Sequence, residues 1–362
     1  MSSKMVREVD LRSDTVTKPT AEMRRVMAEA VVGDDVYQED PTINALEERV
    51  AKLLGKEAGI YVASGTMGNL AAIMAHCWTR GLEMLVGDQT HIFLYEQGGV
   101  AQLGGVNVST LKNLDDGTFS LEELKEKFRP ANPDIHEPST GVVCLENTNN
   151  RCGGRVLPQS FIQQVCDISR DRGVPVHMDG ARLLNAAVHS GIPPHEIVKD
   201  CASVSMCLSK GIGAPVGSVV VGSKEFIVRV RRCRKVLGGA MRQAGILAAA
   251  ALVGLDSAME RLSVDHKRAK KLAHEIHNLK SDLLTVDPEV VESNMLLLNF
   301  PSPRLTSAQF VEKMAQINPG DKEKVIVRCG TWFRNRVRWV LHSDLTQEDL
   351  DLALQKIRSI LV

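Results

Sequence analysis

Three short stretches of the 362-residue sequence combine residue types and spacing suited to ligand chemistry. The first is Ser64-Gly65-Thr66-Met67-Gly68-Asn69, between the apolar run Gly59–Val62 and the helical run Leu70–His76. A strand, a small-residue turn and a helix start form an anion site, because free backbone N–H groups and the helix dipole favour a phosphate there. The glycine spacing fits neither a Walker loop nor GxGxxG, and the plain alternative is a helix N-cap by Ser64 or Thr66. The second stretch, Val176-His177-Met178-Asp179-Gly180-Ala181-Arg182, is an apolar strand that ends in a carboxylate. Ligands of open α/β sheets sit at such strand ends, although Asp179 would also serve as a cap. The third, Met206-Cys207-Leu208-Ser209-Lys210-Gly211, ends a strand in a lysine. Its nucleophilic use needs a position that lowers its pKa, and the alternative is a solvated surface lysine.

No single stretch is decisive, but together they meet one specification. Pyridoxal phosphate needs a Schiff-base lysine, a carboxylate on its pyridinium nitrogen, a phosphate cup at a helix N-terminus and a flat side chain on the ring face. Lys210, Asp179 and the Ser64–Thr66 turn fill three of these roles. His91, in Gln89-Thr90-His91-Ile92-Phe93, supplies the fourth.

Positioning these residues takes an alternation of strands and helices, the pattern of crossover units in a mostly parallel sheet. Expected strands are Gly59–Val62, Met84–Val86, Val106–Thr110, Val142–Glu146, Val176–Met178, Ser203–Cys207 and Ser218–Val221. Ile43, Leu46, Val50 and Leu53 recur at helical spacing, so Thr42–Leu54 reads as an amphipathic helix stopped at Gly55. Phe161, Val165 and Ile168 mark another, entered at Pro158. From about Ala244 a small-residue helix runs into the charged helical stretch Arg261–Lys280. Beyond it come strand Met295–Asn299, helix Ser307–Ile317, strands Lys324–Arg328 and Asn335–Leu341, and helix Gln347–Ile360. The reading is therefore an α/β large domain over residues 1–245 and a small α+β domain over 246–362.

Composition narrows the function class. Lys plus Arg and Asp plus Glu both number 44, so the zero net charge gives no field drawing the chain to nucleic acid or acidic lipid. The apolar run Ala244–Leu255 is too short to span a membrane, and the N-terminus lacks an apolar signal core. A cytoplasmic protein is expected, or a mitochondrial one if a presequence has been removed. The eight cysteines form no CxxC pair, and His274-Glu275-Ile276-His277 lacks the HExxH spacing, so reduced thiols and no metal are expected.

The strings Leu11-Arg12-Ser13-Asp14-Thr15-Val16-Thr17-Lys18-Pro19, Gly33-Asp34-Asp35-Val36-Tyr37, Ser64–Asn69, His177–Arg182, Leu208-Ser209-Lys210-Gly211 and Met241-Arg242-Gln243 resemble the L-threonine aldolases, in order from about Val9 to Leu350. The resemblance implies a pyridoxal phosphate enzyme of the aspartate-aminotransferase fold (fold type I). Such an enzyme is usually a homotetramer and splits L-threonine or L-allo-threonine to glycine and acetaldehyde. It places Lys210 on the cofactor as a Schiff base, Asp179 on the pyridinium nitrogen and His91 on the ring. The phosphate falls to Ser64, Gly65 and Thr66, with Ser209, Lys235 and Arg242 as further contacts. Ser13, Arg182 and Arg338 would grip the substrate carboxylate, which suits planar bidentate guanidinium. Without the resemblance, Arg338, Lys235 and Arg242 read as solvated cations.

Cleavage needs a base for the β-hydroxyl, and His91 and His136 both qualify by their ordinary pKa near 6.5. Three positions depart from the family's strings: Gln38 stands for a glycine, Asn149 for a histidine and Ala240 within a triple glycine. The alternatives are another fold type I lyase or racemase acting on a small amino acid, or a non-catalytic scaffold. The scaffold would have lost the lysine or a carboxylate-binding arginine, and neither is missing.

Overall fold

The computed structural model describes residues 6–131, 134–318, 321 and 323–361. It divides into two compact units, Pro19–Ala258 and a second made of Met1–Lys18 with Met259–Val362.

The larger unit is built on seven strands: β1 (Ala58–Val62), β2 (Leu82–Gly87), β3 (Asn107–Leu111), β4 (Ser139–Glu146), β5 (Val176–Asp179), β6 (Ser203–Cys207) and β7 (Ser218–Gly222). Their order in the sheet is β1-β7-β6-β5-β4-β2-β3. All neighbouring pairs are parallel except those made by β7, which runs against both β6 and β1. The expected strands are all present, several one to three residues longer. Near-continuous apolar sequence is what a sheet covered on both faces requires, and β6 and β7 are buried along their whole length.

Helix α1 (Pro41–Leu53) is capped by Asp40, whose carboxylate accepts from the amides of Thr42 and Ile43, with proline in its first turn. Helix α2 (Gly65–His76) begins inside the glycine-containing string, so that string is the helix's first turn. Ser64 caps it by accepting from the Met67 amide. One side of α2 packs Ala71, Ala72 and Ala75 with Ile60, Val62 and Val220, and the other packs Leu70 and Ile73 with Met84, Val86 and Val142. Helix α3 (Gln159–Arg170) starts after Pro158, as expected. Helix α4 (Lys224–Val236) packs on the α2 side of the sheet, and α5 (Gly245–Asp256) buries the consecutive alanines Ala248 to Ala251.

The smaller unit has an antiparallel sheet of Gly330–Trp332, Arg336–Val340 and Met295–Asn299. Its core centres on Trp339 and Phe310, both fully buried. Strand Arg7–Asp10 pairs parallel with Val325–Arg328, and Val9 and Leu11 enter this core. The described residues up to Lys18, assigned by sequence to the large domain, therefore run with the C-terminal unit. The division at 258/259 also differs from the expected 245/246. The reason is that α5 packs against α1 and the helix Ala21–Glu29 of the larger unit. Among the described residues no helix is long and apolar enough to cross a membrane.

Candidate active site

Parallel pairing brings the expected residues to one edge of the large sheet. Asp179, the last residue of β5, lies opposite Glu146 at the end of β4 and Ser205 in β6. Lys210 follows β6 by three residues, half-buried, and among the described residues its amine has no hydrogen-bond or ion-pair partner. The start of α2 lies against the same edge: a Cβ at Gly65 would sit 2.7 Å from Cys207 Sγ, and one at Gly68 2.5 Å from Ser205 Oγ. Only glycine permits that approach. The amides of Gly65 and Thr66, like those of any first helical turn, have no intrahelical acceptor.

Asp179 is 3% exposed, and its Oδ1 accepts from the Ala181 amide at 3.1 Å. Its Oδ2 accepts from Asn69 Nδ2 at 3.0 Å. The same Asn69 nitrogen donates to Glu96 Oε1 at 2.9 Å, and Glu96 Oε1 also meets His91 Nδ1 at 2.9 Å. Ligand atoms of His91, Glu96 and Asp179 thus converge within 4.8 Å. Glu146 fixes the backbone of the histidine, its Oε2 accepting from the His91 amide at 2.5 Å.

The electrostatics follow from three carboxyls around one imidazole. Burial pushes the His91 pKa down, but the Glu96 hydrogen bond and the charges of Asp179, Glu96 and Glu146 outweigh it, and the net shift is upward. Burial and the Asp179 charge raise Glu96, against the opposing hydrogen bonds from His91 and Asn69. Burial, with the Asp179 charge, pushes Glu146 up to about 7. His177, fully buried on β5, is pushed down to about 3 by burial, so it is neutral at physiological pH.

The remaining expected residues are placed less uniformly. Arg182 is buried just before the helix Leu183–Ser190, and Ser209 is half-buried beside Lys210. Ser64 and Thr66 are exposed on the first turn of α2. Gly239 packs against Met67 of that turn, which brings the loop leading to Arg242 close by. Arg242 itself pairs with Asp34 at 2.7 Å, and Lys235 lies on the exposed face of α4. His136 is not brought to His91 within this chain. It is exposed beside Asp134, just before β4, whose eight residues span about 26 Å between that end and Glu146. Ser13 and Arg338 belong to the smaller unit. There Ser13 accepts from the Thr15 amide, and Arg338 donates to the Arg12 carbonyl at 3.0 Å and lies over the Trp332 ring.

Sequence reasoning gave no role to Glu96, Glu146 or Asn69. Glu146 ends an apolar strand, the same signature that singled out Asp179, and Glu96 follows the apolar stretch Ile92–Tyr95.

The donor set fits pyridoxal phosphate: amides for a phosphate, a buried carboxylate for a ring nitrogen, an imidazole for a ring face and an unpartnered amine for an aldehyde. Comparisons with known proteins agree. Residues 10–300 match the beta-eliminating lyase family. The chain is 44% identical over 350 residues to the low-specificity L-threonine aldolase 1 of Arabidopsis thaliana, covering 97% of this chain and 95% of that one. It is 43% identical over 342 residues to the low specificity L-threonine aldolase of Escherichia coli K12, covering 94% and 96%. Among solved structures, a threonine aldolase of Leishmania major superposes with a TM-score of 0.80 at 15% identity, covering 98% of this chain and all of that one, and shares its fold. With so much of each relative's length matched, the chain belongs to the low-specificity L-threonine aldolases, a pyridoxal phosphate-dependent family.

Proposed function

We propose that the chain is a carbon–carbon lyase that cleaves L-threonine and L-allo-threonine to glycine and acetaldehyde. The observation that carries this reading is the convergence of His91 with Asp179 at the strand ends from which Lys210 emerges, in a chain of this family. Pyridoxal phosphate, when bound, supplies an electron sink for the pair left on the substrate's Cα.

Each residue then has a defined task. Lys210 offers the amine that would hold the cofactor's aldehyde carbon. The amides of Gly65 and Thr66 would hold its phosphate, with Ser64, Ser209, Lys235 and Arg242 around it. Asp179 would accept a hydrogen bond from the ring nitrogen, a role that suits a buried acid held in place by two hydrogen bonds. His91 would cover the ring face, and with Nδ1 engaged by Glu96 its Nε2 is the atom to take the β-hydroxyl proton. The Cα–Cβ bond then breaks with its electron pair on Cα, acetaldehyde leaves, and protonation of Cα gives glycine. Base duty goes to His91, because His136 sits at the far end of β4. Arg182, Arg338 and Ser13 carry chemistry matched to the substrate carboxylate. A homotetramer acting in the cytoplasm completes the reading.

The test is acetaldehyde release from L-threonine by the purified, cofactor-loaded protein, with Lys210→Ala beside it. Release that falls to background in Lys210→Ala, together with loss of the visible absorption of bound cofactor, is expected. A variant that kept full turnover would overturn the assignment of Lys210. An absence of aldehyde from a wild type that binds the cofactor would favour a β-eliminating lyase or racemase.

A further inference from the structure

Asn69 is 1% exposed in the second turn of α2 and makes three side-chain hydrogen bonds, each with a forced direction. Its Nδ2 faces two carboxylate oxygens, Glu96 Oε1 at 2.9 Å and Asp179 Oδ2 at 3.0 Å. An amide nitrogen has two N–H donors, and turning the group round would aim its carbonyl at both carboxylates. Its Oδ1 must therefore accept, and the partner is His177 Nε2 at 3.1 Å. His177 is neutral, so a proton on Nε2 leaves Nδ1 bare to accept from Ser203 Oγ at 2.8 Å. Ser203 Oγ in turn accepts from His76 Nε2 at 2.7 Å. The chain His76, Ser203, His177, Asn69 is thus polarised one way, with every proton pointing towards the carboxylates.

Burial and the Asp179 charge both favour a proton on Glu96, and the hydrogen bond from Asn69 opposes them. The groups that face His91 are Glu96 at its Nδ1, Glu146 at its amide, the Asp179 charge and the Tyr95 ring, whose centroid is 5.6 Å from that of the imidazole. A charged Glu96 oxygen on Nδ1 fixes the imidazole proton there and leaves Nε2 bare. A protonated Glu96 would remove that bias.

We propose that Asn69 is a positioning residue whose single amide donates to Glu96 and Asp179 at once, and that through Glu96 it holds the His91 proton on Nδ1 so that Nε2 accepts the substrate's proton. This rests on the roles given above to His91 and Asp179. The side-chain partners of Asn69 are the two acids and His177, and it acts on His91 through Glu96.

The experiment is an NMR titration of the full chain with 15N-labelled histidine, with and without pyridoxal phosphate, for wild type, Asn69→Leu, Glu96→Gln and the double variant. Wild-type His91 should carry its proton on Nδ1 and titrate above the ordinary histidine value. Both single variants should lower its midpoint by about one pH unit, the size of effect expected on losing one close opposite charge. The double variant should fall no further than Glu96→Gln alone, because Asn69 works through Glu96. Should Asn69→Leu fail to fold, Asn69→Ala reads the same quantity. In the loaded enzyme both single variants should lower kcat by about 10²-fold, as for loss of a positioned base, with KM for L-threonine within twofold. An unchanged His91 midpoint in Asn69→Leu, or fully additive shifts in the double variant, would overturn the proposal even if aldolase activity is intact. Absence of aldehyde from wild type would instead overturn the functional reading and leave this titration as a test of Asn69.

Discussion

Two buried charge clusters in this protein are built to opposite rules. In the smaller unit Lys356 is fully buried, and its ammonium donates to Asp321 Oδ2 at 3.0 Å and to the carbonyls of Gln316 and Val325. Three donors meet three acceptors, and Asp321 also accepts from Ser359 Oγ and the Asn318 amide. In the larger unit three carboxyls, Glu96, Glu146 and Asp179, surround a single imidazole, and Glu96 Oε2 is buried with no partner among the described residues. A cluster that closes on itself can only hold the fold. One that keeps negative charge in excess has something left for a cofactor's protonated nitrogen or a substrate's proton.

The strongest test of that contrast is a pair of substitutions read by urea unfolding. Lys356→Met leaves Asp321 buried without its cation, and breaking such a pair costs about 3–5 kcal/mol. Acetaldehyde release per folded molecule should not change. Glu96→Gln, which removes charge where charge is in excess, should change stability by less than about 1 kcal/mol while activity falls. Equal losses of stability in the two variants would erase the distinction.

A second test concerns a carboxyl disturbed chiefly by burial. Asp265, on the helix Ala258–His277, is pushed up to about 7 by burial, with the Asp14 charge adding and Arg268 and Arg261 opposing. Between its ordinary value and about 7 the folded protein holds a proton that the unfolded chain has released. Its contribution to stability is therefore complete at low pH and is lost as pH rises to about 7. The Tm of the wild type should fall across this interval, and Asp265→Asn, which cannot titrate, should flatten the curve. Parallel curves would show that Asp265 does not carry the slope.

What the sequence made legible follows the same division. Strand ends that carry Asp179 and Lys210, and the helix start at Gly65, were readable because an apolar strand followed by a polar residue and glycine is a local pattern. Fold class was readable from alternating strands and helices. Asn69 and Glu96 were not, because their roles come from contacts 110 and 27 residues apart in sequence, which no local pattern encodes. Strand Arg7–Asp10 was missed for a similar reason: with one buried residue in four, it is specified by its partner Val325–Arg328 rather than by its own alternation. His136 shows the converse: its residue type suits the chemistry, but its place before β4, at the end away from Glu146, could not be read from the local string.

The smallest effect asks whether the loop before α1 belongs with the closed cluster or the open one. Asp35 there is buried against Arg234 at 2.6 Å, and Arg234 also donates to the Tyr61 carbonyl at 2.7 Å, a structural pair like that of Lys356. Asp34 instead meets the half-exposed Arg242. Between these and Asp40 lies Gln38, at φ 60° and ψ 32°, where the resemblance expects glycine. Its amide donates to the Asp35 carbonyl and its carbonyl accepts from Asn44 Nδ2, so both sides of the peptide are fixed in that conformation. Left-handed backbone costs a side-chain-bearing residue about 1–2 kcal/mol, and glycine forfeits roughly 0.5–1 kcal/mol of chain entropy. Gln38→Gly should therefore stabilise the protein by about 0.5–1 kcal/mol, a rise of about 1–3 °C in Tm. If the loop is a closed structural element, kcat and KM should stay where they are while Tm rises. If Arg242 depends on the loop's stiffness to meet a phosphate, the added freedom should weaken cofactor binding despite the gain in stability, and the loop would belong with the open cluster.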